Sequence, residues 1–231
     1  MAAFRFKQFA VEQDGVAMKV GTDGVLLGAW ADCSKAKRVL DIGTGTGVIA
    51  LMIAQRSDAQ SIVGIDIDDS AAACAAHNFA CSPWSTTLRA EQSSAQEFDG
   101  EQFDFIISNP PYFVDSLLCP DSQRTTARHT TDLTFEQLDK AVCRLLNKGG
   151  KFALILPVEQ MERYISMTQL HLVRRCDVYP VVGGQVKRVM AEFAFEKGAD
   201  VVVENLAIER GQRGDYTEQY VALTKDFYLK F

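Results

Sequence analysis

A short apolar strand that leads into a carboxylate and a glycine-rich loop limits the fold of this chain most. Val39 to Ile42 is apolar apart from Asp41, and glycines follow at positions 43, 45 and 47, before the helical run Val48 to Gln55. Glycine lets the backbone turn sharply and approach a ligand, and the N-terminus of the next helix favours electron-rich groups. The segment therefore predicts a β-loop-α unit with a nucleotide-type site.

The spacing of the glycines argues against a dinucleotide site. A dinucleotide fingerprint needs Gly-x-Gly-x-x-Gly, and counting from Gly43 places Val48 where the third glycine should be. The next predicted strand, Ser61 to Ile65, ends at Asp66, 19 residues after Gly47. A carboxylate there can accept hydrogen bonds from ribose hydroxyls, at the separation expected of a β-α-β nucleoside site.

A second motif, Asn109-Pro110-Pro111-Tyr112, follows the apolar run Phe103 to Ile107, which predicts another buried strand. The Asn109 side-chain oxygen and a backbone carbonyl can both accept hydrogen bonds from a planar amino group. The prolines lack an N–H and stiffen the turn, and Tyr112 supplies a flat face for stacking. Asn-Pro turns also end strands without any catalytic role. The catalytic interpretation of this motif therefore depends on the glycine loop upstream.

The composition is that of an ordinary globular α/β protein. The chain has 231 residues, of which 47% are hydrophobic and 23% charged. No run approaches the ~18 apolar residues of a membrane span, so we expect a cytoplasmic protein without membrane contact. Six cysteines and three histidines lack the spacing of a metal site, so we expect no metal.

The net charge of −6 does not by itself indicate a nucleic-acid partner. Acids outnumber bases by six in residues 1–110 and balance them in residues 111–231. In the balanced half, Arg124, Arg128, Lys187 and Arg188 are candidate phosphate contacts. A solvated surface of mixed charge also explains them.

The pattern of elements predicts a single domain over residues 1–231, with an N-terminal hairpin and helix in 1–38 and a Rossmann-like core with C-terminal strands and a helix in 39–231. We place the hairpin at Phe4 to Gln13 and Val16 to Val20, around Asp14-Gly15. A capping box at Thr134 to Gln137 predicts a helix that reaches Asn147.

The fold class that follows is α/β, with a doubly wound sheet. Three strands in close succession near the end suggest an antiparallel edge strand on a mainly parallel sheet. Ligands bind such sheets beyond the carboxyl ends of the strands. Asp41, Asp66 and Asn109 each lie at such an end, so we expect them to converge on one cleft.

The pattern Asp-x-Gly-x-Gly-x-Gly in Asp41 to Gly47 resembles motif I of the S-adenosylmethionine-dependent methyltransferases. Together with Asn109 to Tyr112, Met18 to Gly24 and Asp226 to Phe231, it is similar to the bacterial tRNA(Val) adenine-N6 methyltransferase family over nearly the whole chain. The resemblance implies a class I methyltransferase fold, S-adenosylmethionine as cofactor, and a tRNA substrate methylated at adenine 37 beside the anticodon. No obligate protein partner is indicated.

The resemblance also implies the roles of individual residues. The segment from Lys19 to Asp23 would close over the methionine end of the cofactor, and Ser94 stands where an Asp often contacts its adenine. Thr22 or Asp23 would also cap a helix starting near Gly24. The implied cofactor contacts are Lys19, Gly21, Thr22, Asp41, Gly43, Thr44, Gly45, Gly47, Asp66, Ile67, Ser94, Ala95 and Asn109.

The catalytic residues that we predict are Asn109, Pro110 and Tyr112. Hydrogen bonds to the Asn109 side chain and the Pro110 carbonyl would localise the lone pair of the adenine amino group towards the methyl donor. Candidate substrate contacts are Pro111, Tyr112, Phe113, Arg124, Arg128, His129, Lys187 and Arg188.

Four other functions stay open. A protein glutamine N5-methyltransferase holds a planar carboxamide, but similar enzymes carry a helical domain before motif I, whereas 40 residues precede Asp41 here. A DNA adenine methyltransferase would need an added recognition region. A ribosomal RNA guanine-N2 methyltransferase is a closer rival. A non-enzymatic nucleotide- or RNA-binding module is disfavoured by Asn109 and Tyr112.

Overall fold

An eight-stranded sheet forms the centre of the protein. The computed structural model describes residues 3–110 and 133–231. A separate antiparallel pair, β1 (Phe4–Arg5) and β2 (Ala10–Val11), precedes the sheet. The strands of the sheet are β3 (Arg38–Ile42), β4 (Ser61–Asp66), β5 (Leu88–Gln92), β6 (Phe103–Ser108), β7 (Leu146–Leu156), β8 (His171–Val181), β9 (Arg188–Ala194) and β10 (Val202–Glu209).

Helices cover both faces of this sheet. They are α1 (Thr22–Trp30), α2 (Val48–Arg56), α3 (Asp69–Ala80), α4 (Phe135–Leu145), α5 (Val158–Met167) and α6 (Glu218–Thr224). Successive strand residues face opposite sides, so Val39 packs in the core formed with α1, α2, α3 and α6, whereas Leu40 packs in the core formed with α4 and α5. This arrangement confirms the doubly wound α/β class.

The order across the sheet is β10-β8-β9-β7-β6-β3-β4-β5. Neighbours are parallel from β7 through β5, and β9 runs antiparallel to both β7 and β8. The antiparallel strand therefore lies inside the sheet rather than at its edge, because β8 and β10 extend the sheet beyond it. The edge strand β10 pairs in parallel with β8.

The N-terminal hairpin lies earlier than the turn signal at Asp14-Gly15 predicted. Phe4 pairs with Val11 and Arg5 with Ala10, whereas residues 16–20 form no strand. Phe6 instead bridges to Tyr228, and its ring stacks on both Phe9 and Tyr228. The C-terminal segment thus supplies the partner that the local sequence does not reveal.

The passage from α4 to β7 also differs from the prediction. The capping box at Thr134 and Gln137 is present, but the helix ends at Leu145 rather than at Asn147, and β7 begins at the next residue, Leu146. The register with β6 shifts between Phe103 and Phe105. A Cβ at Gly150 would come within 2.7 Å of Leu146 Cδ1, so the lack of a side chain at Gly150 permits this irregularity.

Within residues 3–110 and 133–231, no helix has the length and apolar character needed to cross a membrane.

Candidate functional site

The glycine loop after β3 adopts the backbone that its sequence predicts. Gly43, Gly45 and Gly47 have φ of 72°, 56° and 80°, the left-handed region that favours glycine. A Cβ at Gly43 or Gly45 would meet no protein atom within 4 Å, whereas one at Gly47 would come within 2.4 Å of Phe79 Cε1. The first two glycines therefore leave room for a ligand, and Gly47 leaves room for α3.

Asp41 lies beneath this loop and is fully buried. Its Oδ2 accepts a 2.7 Å hydrogen bond from Thr44 Oγ1. Burial raises the pKa of Asp41 to about 7; the Thr44 hydrogen bond opposes this shift, and the nearby charge of Asp66 adds to it. Asp41 thus holds the loop from below and does not line the cavity described next.

A cavity of about 580 Å³ opens at the carboxyl ends of the parallel strands. The loops after β3, β4, β5 and β6 all contribute to its wall. The predicted site residues that line it are Lys19, Gly21, Gly43, Thr44, Gly45, Asp66, Ile67, Ser94, Ala95, Asn109 and Pro110. The expected convergence is therefore present for Asp66 and Asn109, whereas Asp41 is one layer deeper.

Asp66 is oriented by two backbone donors. Its Oδ2 accepts a 2.9 Å hydrogen bond from the Gly45 N–H, and its Oδ1 accepts one of 3.0 Å from the Asp68 N–H. Each carboxylate oxygen has a further lone pair. Asp66 can therefore still accept hydrogen bonds from the hydroxyls of a ligand.

Asn109 lies at the opposite side of the loop, immediately after β6. A Cβ added to Gly24 of α1 would lie 3.8 Å from Asn109 Nδ2, so α1 passes directly behind this side chain. Ser108 Oγ donates a 2.8 Å hydrogen bond to the Ile42 carbonyl and ties the ends of β6 and β3 together. Pro111, Tyr112, Phe113, Arg124, Arg128 and His129 lie outside the described residues.

Thr22 and Gly47 are the other cofactor candidates that do not line the cavity. The N-cap of α1 is Gly21, which makes no side-chain hydrogen bond, so neither Thr22 nor Asp23 caps the helix as predicted. Thr22 is instead the first helical residue. Asp23 Oδ2 accepts a 2.8 Å hydrogen bond from Arg188 Nε, and neither Arg188 nor Lys187 reaches the cavity wall.

The sequence predictions missed part of the wall. Val16, Ala17 and Met18 line the cavity beside Lys19 and Gly21, and we call residues 16–21 the strap. Gln13 Oε1 accepts a 2.8 Å hydrogen bond from the Val20 N–H at the end of this segment. The strap has no regular secondary structure, so no periodic pattern could have identified it.

Two side chains outside the cavity hold its loops. Asn78 of α3 is buried, and its Nδ2 donates to the carbonyls of Thr46 and Glu12. Arg144 of α4 donates to the carbonyls of Phe98, Ala95 and Gln96 at 2.8, 3.0 and 3.2 Å. The glycine loop and the loop after β5 are thus each fixed from a neighbouring helix.

Comparison with known proteins identifies the family. The model of the methyltransferase small domain matches residues 20–170. A tRNA1(Val) (adenine(37)-N6)-methyltransferase of Phocaeicola vulgatus is 47% identical over 230 residues, covering 98% of this chain and 97% of that protein.

Solved structures show the same fold at low sequence identity. A predicted O-methyltransferase from Agrobacterium tumefaciens superposes with a TM-score of 0.68 and 16% identity, over 89% of this chain and 96% of that one. The N-methyltransferase NodS from Bradyrhizobium japonicum, in complex with S-adenosyl-L-homocysteine, superposes with a TM-score of 0.51 and 17% identity, over 73% of this chain and 82% of that one. With the family model and the near-full-length relative, these results show that the chain belongs to the methyltransferase small domain family and, within it, to the tRNA1(Val) (adenine(37)-N6)-methyltransferases.

Proposed function

We propose that this protein transfers a methyl group from S-adenosylmethionine to the exocyclic N6 of adenine 37 in a valine tRNA. The single observation that carries the proposal is the meeting of Asp66 and the Gly43–Gly45 turn with Asn109 and Pro110 around one cavity. One part of this wall suits a nucleoside and the other a planar amino group. The near-full-length relative is consistent with both the reaction and the substrate.

The residues present fit a nucleoside methyl donor. The cavity volume of about 580 Å³ lies within the usual range of small-molecule sites. Gly43 and Gly45 let the backbone approach the ligand, because no protein atom stands where their Cβ atoms would be. Asp66 would accept the ribose hydroxyls, and Lys19 would pair with a carboxylate. Ser94 and Ala95 border the side where an adenine would lie.

S-adenosylmethionine, when bound, supplies a sulfonium methyl group that a nucleophile can accept. The amino nitrogen of adenine is a poor nucleophile because its lone pair is delocalised into the ring. Asn109 Oδ1 and the Pro110 carbonyl would accept hydrogen bonds from the two N–H groups and localise that pair. They would also stabilise the positive charge that develops on nitrogen. Tyr112 would stack on the extruded base.

The chain need not supply a strong base, because the methylated ammonium is strongly acidic and releases its proton to water. Positioning therefore provides most of the acceleration. A tRNA substrate also fits a cytoplasmic, single-domain protein over residues 1–231. We propose Arg124, Arg128, His129 and Lys187 as contacts with the tRNA.

One assay separates this function from its rivals. The protein is incubated with labelled S-adenosylmethionine and tRNA, ribosomal RNA, DNA or protein, and each product is digested and identified. We expect N6-methyladenosine from the valine tRNA and none from a transcript in which adenine 37 is replaced by guanine. Methylglutamine, N2-methylguanosine, methylation of DNA or no transfer would each contradict the proposal.

A further inference from the structure

An ion pair joins the start of α1 to the start of β9. Arg188 Nε donates to Asp23 Oδ2 at 2.8 Å, and the two side chains are 29% and 23% exposed. Arg188 Nη1 also donates to the Lys187 carbonyl at 2.9 Å. These contacts orient the guanidinium towards α1. The pair is screened less than one on an open surface.

The first turn of α1 has no side-chain cap. Its N-cap is Gly21, which offers no side chain to satisfy the free N–H groups of the turn. Gly21 and Gly24 both line the cavity, and the strap leads directly into this turn. A displacement of the turn would therefore move two parts of the cavity wall together. It would also move the backbone behind Asn109.

The partner strand is a rigid support. Val189 pairs with Leu156 of β7, and the Lys187 N–H donates a 3.0 Å hydrogen bond to the Val178 carbonyl of β8. Because β9 runs antiparallel to β7, its first residue lies beside the carboxyl end of β7. The cavity opens at this same end of the parallel strands. The backbone of Arg188 is thus held from both sides.

We propose that Arg188 is a positioning residue: through Asp23 it fixes the first turn of α1 and the strap, and so sets the affinity of the cavity for the methyl donor. This role replaces the contact with tRNA that the sequence suggested for Arg188. The inference rests on the proposed function, because it assumes that the cavity binds S-adenosylmethionine.

The test measures binding of S-adenosylhomocysteine by calorimetry, without RNA, for the wild type, Asp23→Asn, Arg188→Gln and the double variant. We expect each single variant to raise the Kd roughly fivefold, and the double variant to raise it no further, because both changes break the same pair. Arg188→Lys should recover part of the affinity. Thermal unfolding of each variant shows that the protein remains folded.

Two control variants sharpen the test. Arg175→Gln is a control on β8: it breaks the pair between Arg175 Nε and Asp177 Oδ1, which are 2.7 Å apart on side chains 20% and 21% exposed, and a second pair with Glu162. We expect no change in the Kd for S-adenosylhomocysteine. Lys187→Gln removes the adjacent exposed charge, and it should raise the KM for tRNA without changing that Kd.

The possible failures are distinguishable. A wild-type protein that does not bind S-adenosylhomocysteine overturns the proposed function, and this inference with it. Binding by the wild type with an unchanged Kd in Arg188→Gln overturns the inference alone. If Arg188→Gln raises only the KM for tRNA, Arg188 is an RNA contact and the positioning role is wrong. A double variant whose Kd for S-adenosylhomocysteine rises by the product of the two single effects would also contradict the coupling between Asp23 and Arg188.

Discussion

Thr44 Oγ1 donates a 2.7 Å hydrogen bond to Asp41 Oδ2, so a side chain in the cavity wall is tied to a carboxylate buried beneath it. Thr44 is held from the other side by β4, since a Cβ at Gly64 would lie 2.6 Å from Thr44 Oγ1. The glycine loop is therefore packed between its own strand and the next. Its shape depends on groups that a ligand never touches.

The first prediction concerns the pH dependence of stability. The pKa of Asp41 is about 7 in the folded protein, above its ordinary value of 3.8. The folded state thus binds this proton more tightly than the unfolded state, and the contribution of Asp41 to stability is lost as the pH rises towards 7. The free energy of unfolding of Asp41→Asn, taken relative to that of the wild type, should therefore be about 2 kcal/mol higher at pH 8 than at pH 5.

Urea unfolding of both proteins at the two pH values, without ligand, measures this gain. Asp104→Asn is the matched control. Burial raises the pKa of Asp104, but hydrogen bonds from the N–H groups of Lys37 and Arg38 and from Asn147 outweigh it and lower the pKa. Asp104 is therefore ionised at both pH values, and Asp104→Asn should lower the free energy of unfolding by the same amount at pH 5 and at pH 8. A constant difference between Asp41→Asn and the wild type would contradict the prediction.

The second prediction separates the roles of two glycines. Gly47→Ala combines a left-handed backbone with a clash against Phe79, so it should lower the free energy of unfolding by more than about 2 kcal/mol. Gly45→Ala meets no protein atom and should cost only about 1 kcal/mol. Its methyl group would nevertheless occupy ligand space. Urea unfolding and calorimetry with S-adenosylhomocysteine measure both effects, and equal losses of stability would count against this division.

The third prediction concerns the clamp on the loop after β5. Arg144 donates to three carbonyls of that loop, and a lysine has no planar fork to reach them all. Arg144→Lys should raise the Kd for S-adenosylhomocysteine about 3- to 10-fold, because Ala95 and Gln96 line the cavity. Calorimetry gives this Kd, and steady-state kinetics give separate KM values for the cofactor and for tRNA. A rise in the KM for tRNA alone, with an unchanged Kd, would exclude this role.

The fourth prediction isolates the chemical step. Asn109→Ala removes the side-chain acceptor for the amino group and should lower kcat at least about 100-fold. Binding of S-adenosylhomocysteine should stay within about threefold of the wild type, because Asp66 and the glycine loop are unchanged. Single-turnover kinetics with valine tRNA and calorimetry give the two values. Full turnover in the variant would rule out the proposed mechanism.

The elements from β3 to β6 follow from local patterns. The strands expected to end at Ile42, Ile65 and Ile107, and the helix expected at Val48 to Gln55, agree with the structure to within about one residue, because strands buried on both faces and helix caps leave clear signals. Asp68, for example, caps α3 through the Ser70 and Ala71 N–H groups. Asp66, the glycine loop and Asn109 were identifiable because each lies at the end of such a strand or directly after it.

The features that the sequence did not reveal depend on distant partners. Phe6, beside the hairpin, bridges to Tyr228, Asp23 pairs with Arg188 of β9, and the loop after β5 is held by Arg144 of α4. The pattern near the end identified three strands but not that β9 lies inside the sheet. Local spacing carries no information on such pairings.

The bridge between Phe6 and Tyr228, with the 2.8 Å hydrogen bond from the Lys7 N–H to the Phe227 carbonyl, has a consequence for synthesis. The ribosome synthesises the hairpin early and residues 227–228 much later. Strands β3 to β6 can therefore pair before the hairpin has its C-terminal partner. The strap begins at Val16, after the hairpin has ended at Val11. We therefore expect the contacts that hold this hairpin, and with it the chain that leads to the strap, to form only after translation has passed Tyr228.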